Sequence, residues 1–332
     1  MNDNKIFSQY GLIGSELELR KNVTITKNGN GRIKKIESEE PEDYLSFSYN
    51  RPSDLIIPGL INSHVHIGDS FAKEFGYNRG LIEIVAPPDG LKHRLLNSVS
   101  EKVIIHGIRK ALNEMTSNGI TCFIDFREGG LQGVKLLKGA IKNSTIRTII
   151  FGRFNSEKEI SKVLQLADGI GLSSYSSISE VEKNILEKSK LQSNKLIACH
   201  VAELKRNLNL FNEILQDDLI DIFVHGTQFQ RYELERIKKK SLILCPRSNA
   251  YFGVGLPPIN EIFDLKIPIA LGTDNIMANS PNLFEELRFT YYILKGLNKK
   301  LPKDLFHSYI IQRTNSNNIK QVYIGGNIVF ER

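Results

Sequence analysis

Between residues 60 and 272, short apolar runs rich in β-branched residues alternate with longer stretches whose apolar positions fall at helical spacing. Eight such runs recur: Leu60–His64, Ile120–Asp125, Ile146–Phe151, Gly169–Leu172, Lys195–His200, Ile222–His225, Leu242–Cys245 and Ile267–Gly272. The intervening segments include SEKVIIHGIRKALNEMTSNG, SEVEKNILEKSKLQ and NLFEELRFTYYILKGLN. The first ends in Asn118-Gly119 and the second opens on Ser179, which are stop and start signals for helices. Strand–helix alternation repeated eight times predicts an α/β chain folded as a parallel (β/α)8 TIM-like barrel. The long connection from residue 67 to about 98 carries Pro87-Pro88 and reads as a loop over the barrel mouth.

The two ends of the chain have another rhythm. Leu17–Leu19, Val23–Thr26, the turn Asn28-Gly29-Asn30-Gly31 and Arg32–Ile36 read as a hairpin, and the acidic stretch ESEEPED is followed by strand-like runs leading to LIIPG. QVYIGGNIVFER, at the other end, reads as strand, Gly-Gly turn, strand. These pieces predict a small β-sandwich-like domain formed by both termini (1–57 with 319–332), flanking a barrel over 58–318.

Composition narrows the partners. The 332 residues are 41% hydrophobic and 24% charged, with 44 Lys and Arg against 37 Asp and Glu. The resulting +7 is scattered, and its densest cluster, Lys238-Lys239-Lys240, follows RYELERI as the solvated end of a helix. No basic run is interleaved with aromatics, so nucleic acid is not expected as a partner. Cys122, Cys199 and Cys245 each lie in an apolar run, the setting of buried free thiols in a reducing compartment. No apolar stretch approaches the ~18–20 residues that span a bilayer, and MNDNKIFSQYGL lacks the pattern of a secretory leader. A cytoplasmic protein with no membrane partner is the expectation, and a homo-oligomer is compatible with it.

The candidate chemistry begins at LINSHVHIGDS. His64 and His66 sit two apart, so an extended strand points both side chains to one face. A surface or core pair would explain this motif alone. The active site of a barrel, however, lies at the C-terminal ends of its strands, and polar residues collect there. Strand one ends in His64-Val65-His66, strand five in ACHVAE with His200 and Glu203, strand six in FVHGT with His225, strand seven in LCPRSN and strand eight in ALGTDN with Asp274. Four of the seven histidines therefore fall on strand ends; His93, His106 and His307 have loop or helical contexts and read as structural or surface residues. Singly, His200 could be a core histidine, Asp274 an N-cap and Glu203 a first-turn carboxylate. Together, three or four His with one Asp form the donor set of a borderline divalent metal, Zn²⁺ or Fe²⁺, with one position open to water.

NSHVHIGDS, ACHVAE, FVHGT, LCPRSN and ALGTDN, in that order, resemble the amidohydrolase superfamily, in particular its cytosine, guanine and nucleoside deaminase and chlorohydrolase branch. The resemblance covers nearly the whole chain. It implies a metal held by His64, His66, His200 and Asp274, a proton shuttle at Glu203, and a His225 that contacts the activated water or the substrate, with Asp274 serving as base as well as ligand. Binuclear relatives carry a bridging lysine on strand four; DGIGLSSYSS has none, so one metal is expected, Zn²⁺ with Fe²⁺ as the alternative. The reaction implied is hydrolytic deamination of a heterocyclic amine such as a purine, pyrimidine, pterin or nucleoside. The alternative is opening of a cyclic amide, as in imidazolonepropionase-like relatives, and a non-catalytic barrel is the third reading, disfavoured because none of the ligand positions is eroded. Position alone makes Arg127 and Glu128 after strand two, Arg153 after strand three, and Arg247, Ser248 and Asn249 after strand seven the substrate-facing candidates, unless the arginines pair with barrel carboxylates.

Overall fold

A computed structural model of the chain describes residues 5–15, 17–40, 54–297, 319–324 and 327–331. Contacts divide the chain into two compact units, Met1–Leu60 with Ile319–Arg332, and Ile61–Asn318. In the first, β1 (Lys5–Ile13), β2 (Glu18–Lys27), β3 (Ile33–Glu39) and β4 (Leu55–Ile56) form one sheet in the order β3-β2-β1-β4. The β2–β3 hairpin turns at the Asn28–Gly31 segment, where the Asn28 side-chain oxygen accepts from the amides of Asn30 and Arg32. Strand β1 is not among the pieces read from the sequence. Ser8, Gln9 and Gly11 break its alternation, and pairing with β2 along its length supplies the strand that local pattern does not.

The second unit is built around a parallel sheet of β5 (Leu60–His66), β6 (Ile120–Arg127), β7 (Arg147–Gly152), β8 (Gly169–Leu172), β9 (Leu196–Val201), β10 (Ile222–His225), β11 (Ser241–Leu244), β12 (Ile269–Leu271) and β13 (Asp274–Asn275). Its order is β12-β11-β10-β9-β8-β7-β6-β5-β13. The two edge pieces, β12 and β13, are one strand interrupted at Gly272-Thr273. β12 pairs with β11 while β13 pairs with β5, so the eighth strand bridges both edges and the sheet curls into a (β/α)8 barrel. Asn62 of β5 seals the interruption: its Oδ1 accepts from the Thr273 amide at 3.0 Å and its Nδ2 donates to Thr273 Oγ1 at 2.7 Å.

With helices outside and packed side chains within, the strands are buried on both faces, which explains their unbroken apolar runs. Phe126, Phe151, Ala198, Val224, Ile243 and Cys245 form a core cluster. The Phe126 and Phe151 rings stack with centroids 5.4 Å apart. Strand β8 makes room for them with glycine: a Cβ on Gly171 would stand 2.7 Å from the Phe126 ring. All three cysteines are buried and free.

The helices at Glu101–Ser117, Glu180–Ser193 and Leu283–Leu297 follow the periodic segments, and Ser179 caps its helix by accepting from the Glu182 amide. Residues 67–98 differ from the loop expected of them. They form a 3₁₀ turn (Ile67–Ala72) and two helices, Leu81–Val85 and Leu91–Ser98, which were too short and too crowded by Gly and Pro to show a helical period. At the far end of the chain, β14 (Gln321–Ile324) pairs with β15 (Asn327–Glu331). The Gly325-Gly326 turn, residues 41–53 and His307 lie outside the described residues. Among the described residues no helix is long and apolar enough to cross a membrane.

Candidate metal centre

Strands β5, β9, β10 and the resumed β13 bring His64, His66, His200, His225 and Asp274 to one end of the barrel. Donor atoms of His64, His66 and His200 lie within 4.8 Å of one another, as do those of His64, His225 and Asp274. Asp274 Oδ1 is 3.2 Å from His64 Nε2 and 3.5 Å from His66 Nε2. Two of these residues hold left-handed backbone that side chains seldom adopt, His225 at φ +74° and Asp274 at φ +61°. Such conformations cluster where a site dictates the direction of a side chain.

Tautomers are fixed from outside the cluster. His66 Nδ1 lies 2.9 Å from the Phe126 carbonyl and His200 Nδ1 lies 2.7 Å from the Leu172 carbonyl. A carbonyl can only accept, so each Nδ1 carries the hydrogen and each Nε2 keeps its lone pair for the interior. Neither buried ring nitrogen of His64 makes an aligned hydrogen bond, although Nε2 stands 3.2 Å from Asp274 Oδ1. Buried imidazole nitrogens without partners are costly in an apolar barrel unless something else occupies them. Burial drives His64 down to about 3 against a partial restoring pull from Asp274, and drives His66 and His200 down as well. Three neutral imidazoles with inward lone pairs, beside a carboxylate, are the donor set a divalent cation takes.

Around these groups stands a second ring. Ser248 donates to Asp274 Oδ2 at 2.5 Å. Asn249 Nδ2 lies 3.2 Å from His225 Nδ1, and its buried Oδ1 has no hydrogen-bond partner. Glu203 Oε2 is 3.6 Å from His225 Nε2, with the other carboxylate oxygen buried and unpartnered. Burial raises Glu203, the neighbouring His225 lowers it and the Asp274 charge raises it again, leaving a carboxyl above its ordinary value. A cleft of ≈ 210 Å³ opens beside His200 and Glu203, walled by Tyr175, Phe211 and Phe229 and edged by Ser173 and Asn207.

The six residues singled out as substrate-facing divide by location. Ser248 and Asn249 stand against Asp274 and His225. Arg247 is turned away: its guanidinium meets Glu285 at 2.9 Å, the Ser280 and Asn282 carbonyls and the buried Glu286. Arg127 donates Nε–H to the Glu128 carbonyl at 3.0 Å and Nη2–H to the Glu128 carboxylate at 3.2 Å. Glu128 itself contacts His66 and Lys92. Arg153 has a buried Nε without a hydrogen-bond partner.

Three buried residues with charged side chains are not singled out as site residues by the sequence. Asp125 accepts from the Ile67 amide at 2.7 Å, and Asp69 accepts from the Asn275 side chain at 2.8 Å and the Met277 amide at 3.1 Å. Burial raises both to about 7. Asp125 could have been found as an acid inside the apolar run ITCFIDF. Lys92, in LKHRLLNS, carries no such signal.

The sequence pattern of the amidohydrolase family matches residues 55–309. The chain belongs to the amidohydrolase family. This amidohydrolase is 36% identical over 301 residues to an uncharacterized protein of Methanocaldococcus jannaschii, covering 84% of this chain and 77% of that one. It is 23% identical over 306 residues to a 5'-deoxyadenosine deaminase of Methanococcus vannielii, covering 82% and 70%. Its fold superimposes on a zinc-bound adenosine deaminase from Xanthomonas campestris with a TM-score of 0.77 at 14% identity, over 98% of this chain and 92% of that one. Family membership makes the chain a hydrolase acting on carbon–nitrogen bonds.

Proposed function

We propose that this amidohydrolase is a mononuclear, zinc-dependent deaminase that replaces the exocyclic amine of a heterocycle such as a purine, pyrimidine, pterin or nucleoside with oxygen. One observation carries the reading: His64 Nε2, which makes no hydrogen bond, faces Asp274 Oδ1 at 3.2 Å beside the inward Nε2 atoms of His66 and His200, with the raised carboxyl of Glu203 at the edge of the same group. The deaminase names among the relatives support it over cyclic-amide opening.

His64, His66, His200 and Asp274 would hold the ion, Zn²⁺ in this reading with Fe²⁺ the alternative. A divalent cation at such a site supplies Lewis-acid activation of an attacking water at neutral pH. Asp274 accepts the proton that water gives up as its oxygen bonds to the amine-bearing carbon. Glu203, whose carboxyl is raised above its ordinary value by burial, donates to the adjacent ring nitrogen and then relays a proton to the departing amine. The carbon–nitrogen bond breaks and ammonia leaves. His225, held by Asn249 and adjacent to Glu203, orients the oxygen nucleophile. Arg153, with its unpartnered Nε, is the mouth cation we assign to reading a substrate acceptor.

The test is ammonia release by the purified protein over a panel of aminated purines, pyrimidines, pterins and nucleosides, paired with metal analysis. One equivalent of metal per chain and ammonia from at least one class are expected. Ring opening of a cyclic amide without ammonia, or two equivalents of metal, would overturn the reading.

A further inference from the structure

Glu128 was a candidate for substrate contact, yet its carboxylate faces inward to the protein on three sides. Oε1 lies 2.6 Å from His66 Nδ1 and 2.7 Å from Lys92 Nζ, while Oε2 accepts from Arg127 at 3.2 Å. All four side chains are buried, each with no more than a few per cent exposed. Lys92 does not come from a barrel strand. It reaches in from the Leu91–Ser98 helix, part of the segment joining β5 to the Glu101–Ser117 helix.

A lysine placed in a barrel mouth without a carboxylate would be expensive, and so would the carboxylate without its cations. Lys92 and Arg127 together compensate the buried Glu128 charge, but Glu128 has a second consequence. Around His66 Nδ1 stand two acceptors, the Phe126 carbonyl at 2.9 Å and Glu128 Oε1 at 2.6 Å. The Nδ1 hydrogen is held between them. That orientation leaves Nε2 deprotonated and aimed at the cluster, and the negative charge beside Nδ1 makes the imidazole a stronger donor through Nε2.

We infer that Glu128, anchored by Lys92, is a positioning residue for His66 and sets the affinity of the centre for its metal. The inference rests on His66 being a ligand, as proposed above. It differs from a substrate-contact role in what it predicts: Glu128 acts on metal affinity first and on turnover only through it.

The experiment measures Zn²⁺ dissociation constants by chelator competition for the wild type and the variants Glu128→Gln, Lys92→Met with Glu128→Leu together, and His66→Ala, with thermal unfolding recorded for each. The double variant removes both Lys92 and the Glu128 charge, and Arg127 keeps the Glu128 backbone carbonyl at 3.0 Å and Asp125 at 3.9 Å, so the variant is expected to stay folded, as the unfolding record checks, while its Zn²⁺ affinity falls ~10–100-fold, the usual scale for losing an outer-sphere partner of a ligand histidine. Glu128→Gln, which keeps an acceptor but loses the charge, is expected between the double variant and the wild type. In the Co²⁺-loaded protein the visible absorption should shift in both, a change that a merely structural pair would not produce. Wild-type affinity in the double variant alongside weakened His66→Ala would overturn the positioning role alone. Wild-type affinity in His66→Ala would remove the ligand assignment and this inference with it.

Discussion

The hydroxyl of Ser248 donates to Oδ2 of Asp274 at 2.5 Å, leaving Oδ1 as the oxygen that faces His64 and His66. The helical turn after the seventh strand thus braces the neighbouring eighth strand, and the carboxylate cannot rotate without breaking this bond. Ser248→Ala is expected to retain the metal but to lower kcat by ~10-fold, the order of one charge-assisted hydrogen bond of about 1.5 kcal/mol. Metal content and steady-state rates on the same preparation check it; an unchanged kcat would show that Asp274 keeps its aim without the serine.

Glu203 is half of the proton traffic in the proposed reaction. Its carboxyl lies 3.6 Å from His225, outside the tight donor cluster of His64, His66 and His200, and its value is raised chiefly by burial. Glu203→Gln is expected to leave metal stoichiometry and unfolding temperature at wild-type values and to reduce turnover by ~10²-fold or more. Loss of metal in this variant would make Glu203 a ligand instead.

The barrel was legible because its pattern repeats: apolar runs buried on two faces recur, and those that end in polar residues mark the strand ends that carry His64, His66, His200, His225 and Asp274. Three features were not legible, for physical reasons. The eighth strand breaks at Gly272-Thr273, and nothing local distinguishes a seam from a strand end; the break exists because β12 and β13 pair with different neighbours. Lys92 lies in a short helix whose basic side chain would read as solvated, and only the fold brings it to Glu128. Arg247 shares a strand end with Ser248 and Asn249 but points elsewhere, because the helical turn Pro246–Tyr251 rotates successive side chains around its axis. Sequence position placed all three together, whereas orientation separates them.

Gly272 marks the seam. A Cβ built there would stand 2.5 Å from His64 Cβ and 2.7 Å from both His64 N and O, so the obstacle is mostly backbone and cannot swing aside. Gly272→Ala is expected to destabilise the fold by about 1–3 kcal/mol through overpacking and to weaken metal binding by displacing His64. Denaturant unfolding of the apoprotein separates the first effect from the second. A variant as stable as the wild type would mean the β12–β13 break absorbs a methyl group.

Glu286 gives the stability a pH dependence. Its side chain is fully buried, one oxygen accepting from the Arg247 amide at 2.9 Å and the other, without a hydrogen bond, standing 3.7 Å from the Arg247 guanidinium. Burial raises its pKa from 4.5 to about 8, with Arg247 opposing the shift. The folded state therefore binds this proton more tightly than the unfolded chain does. Between the unfolded value and about 8 the native protein holds more protons, so the stability contributed by the neutral carboxyl is fully present below pH 4.5 and is lost as pH rises through about 8. Glu286→Gln keeps a neutral group of the same shape at every pH and removes this term. The unfolding temperature of the variant minus that of the wild type should grow steadily more positive from about pH 5 to pH 8.5, measured in matched buffers with metal present throughout. A difference that stays flat across that range would mean Glu286 ionises in the folded protein much as it does in the unfolded chain, with Arg247 compensating its burial in full.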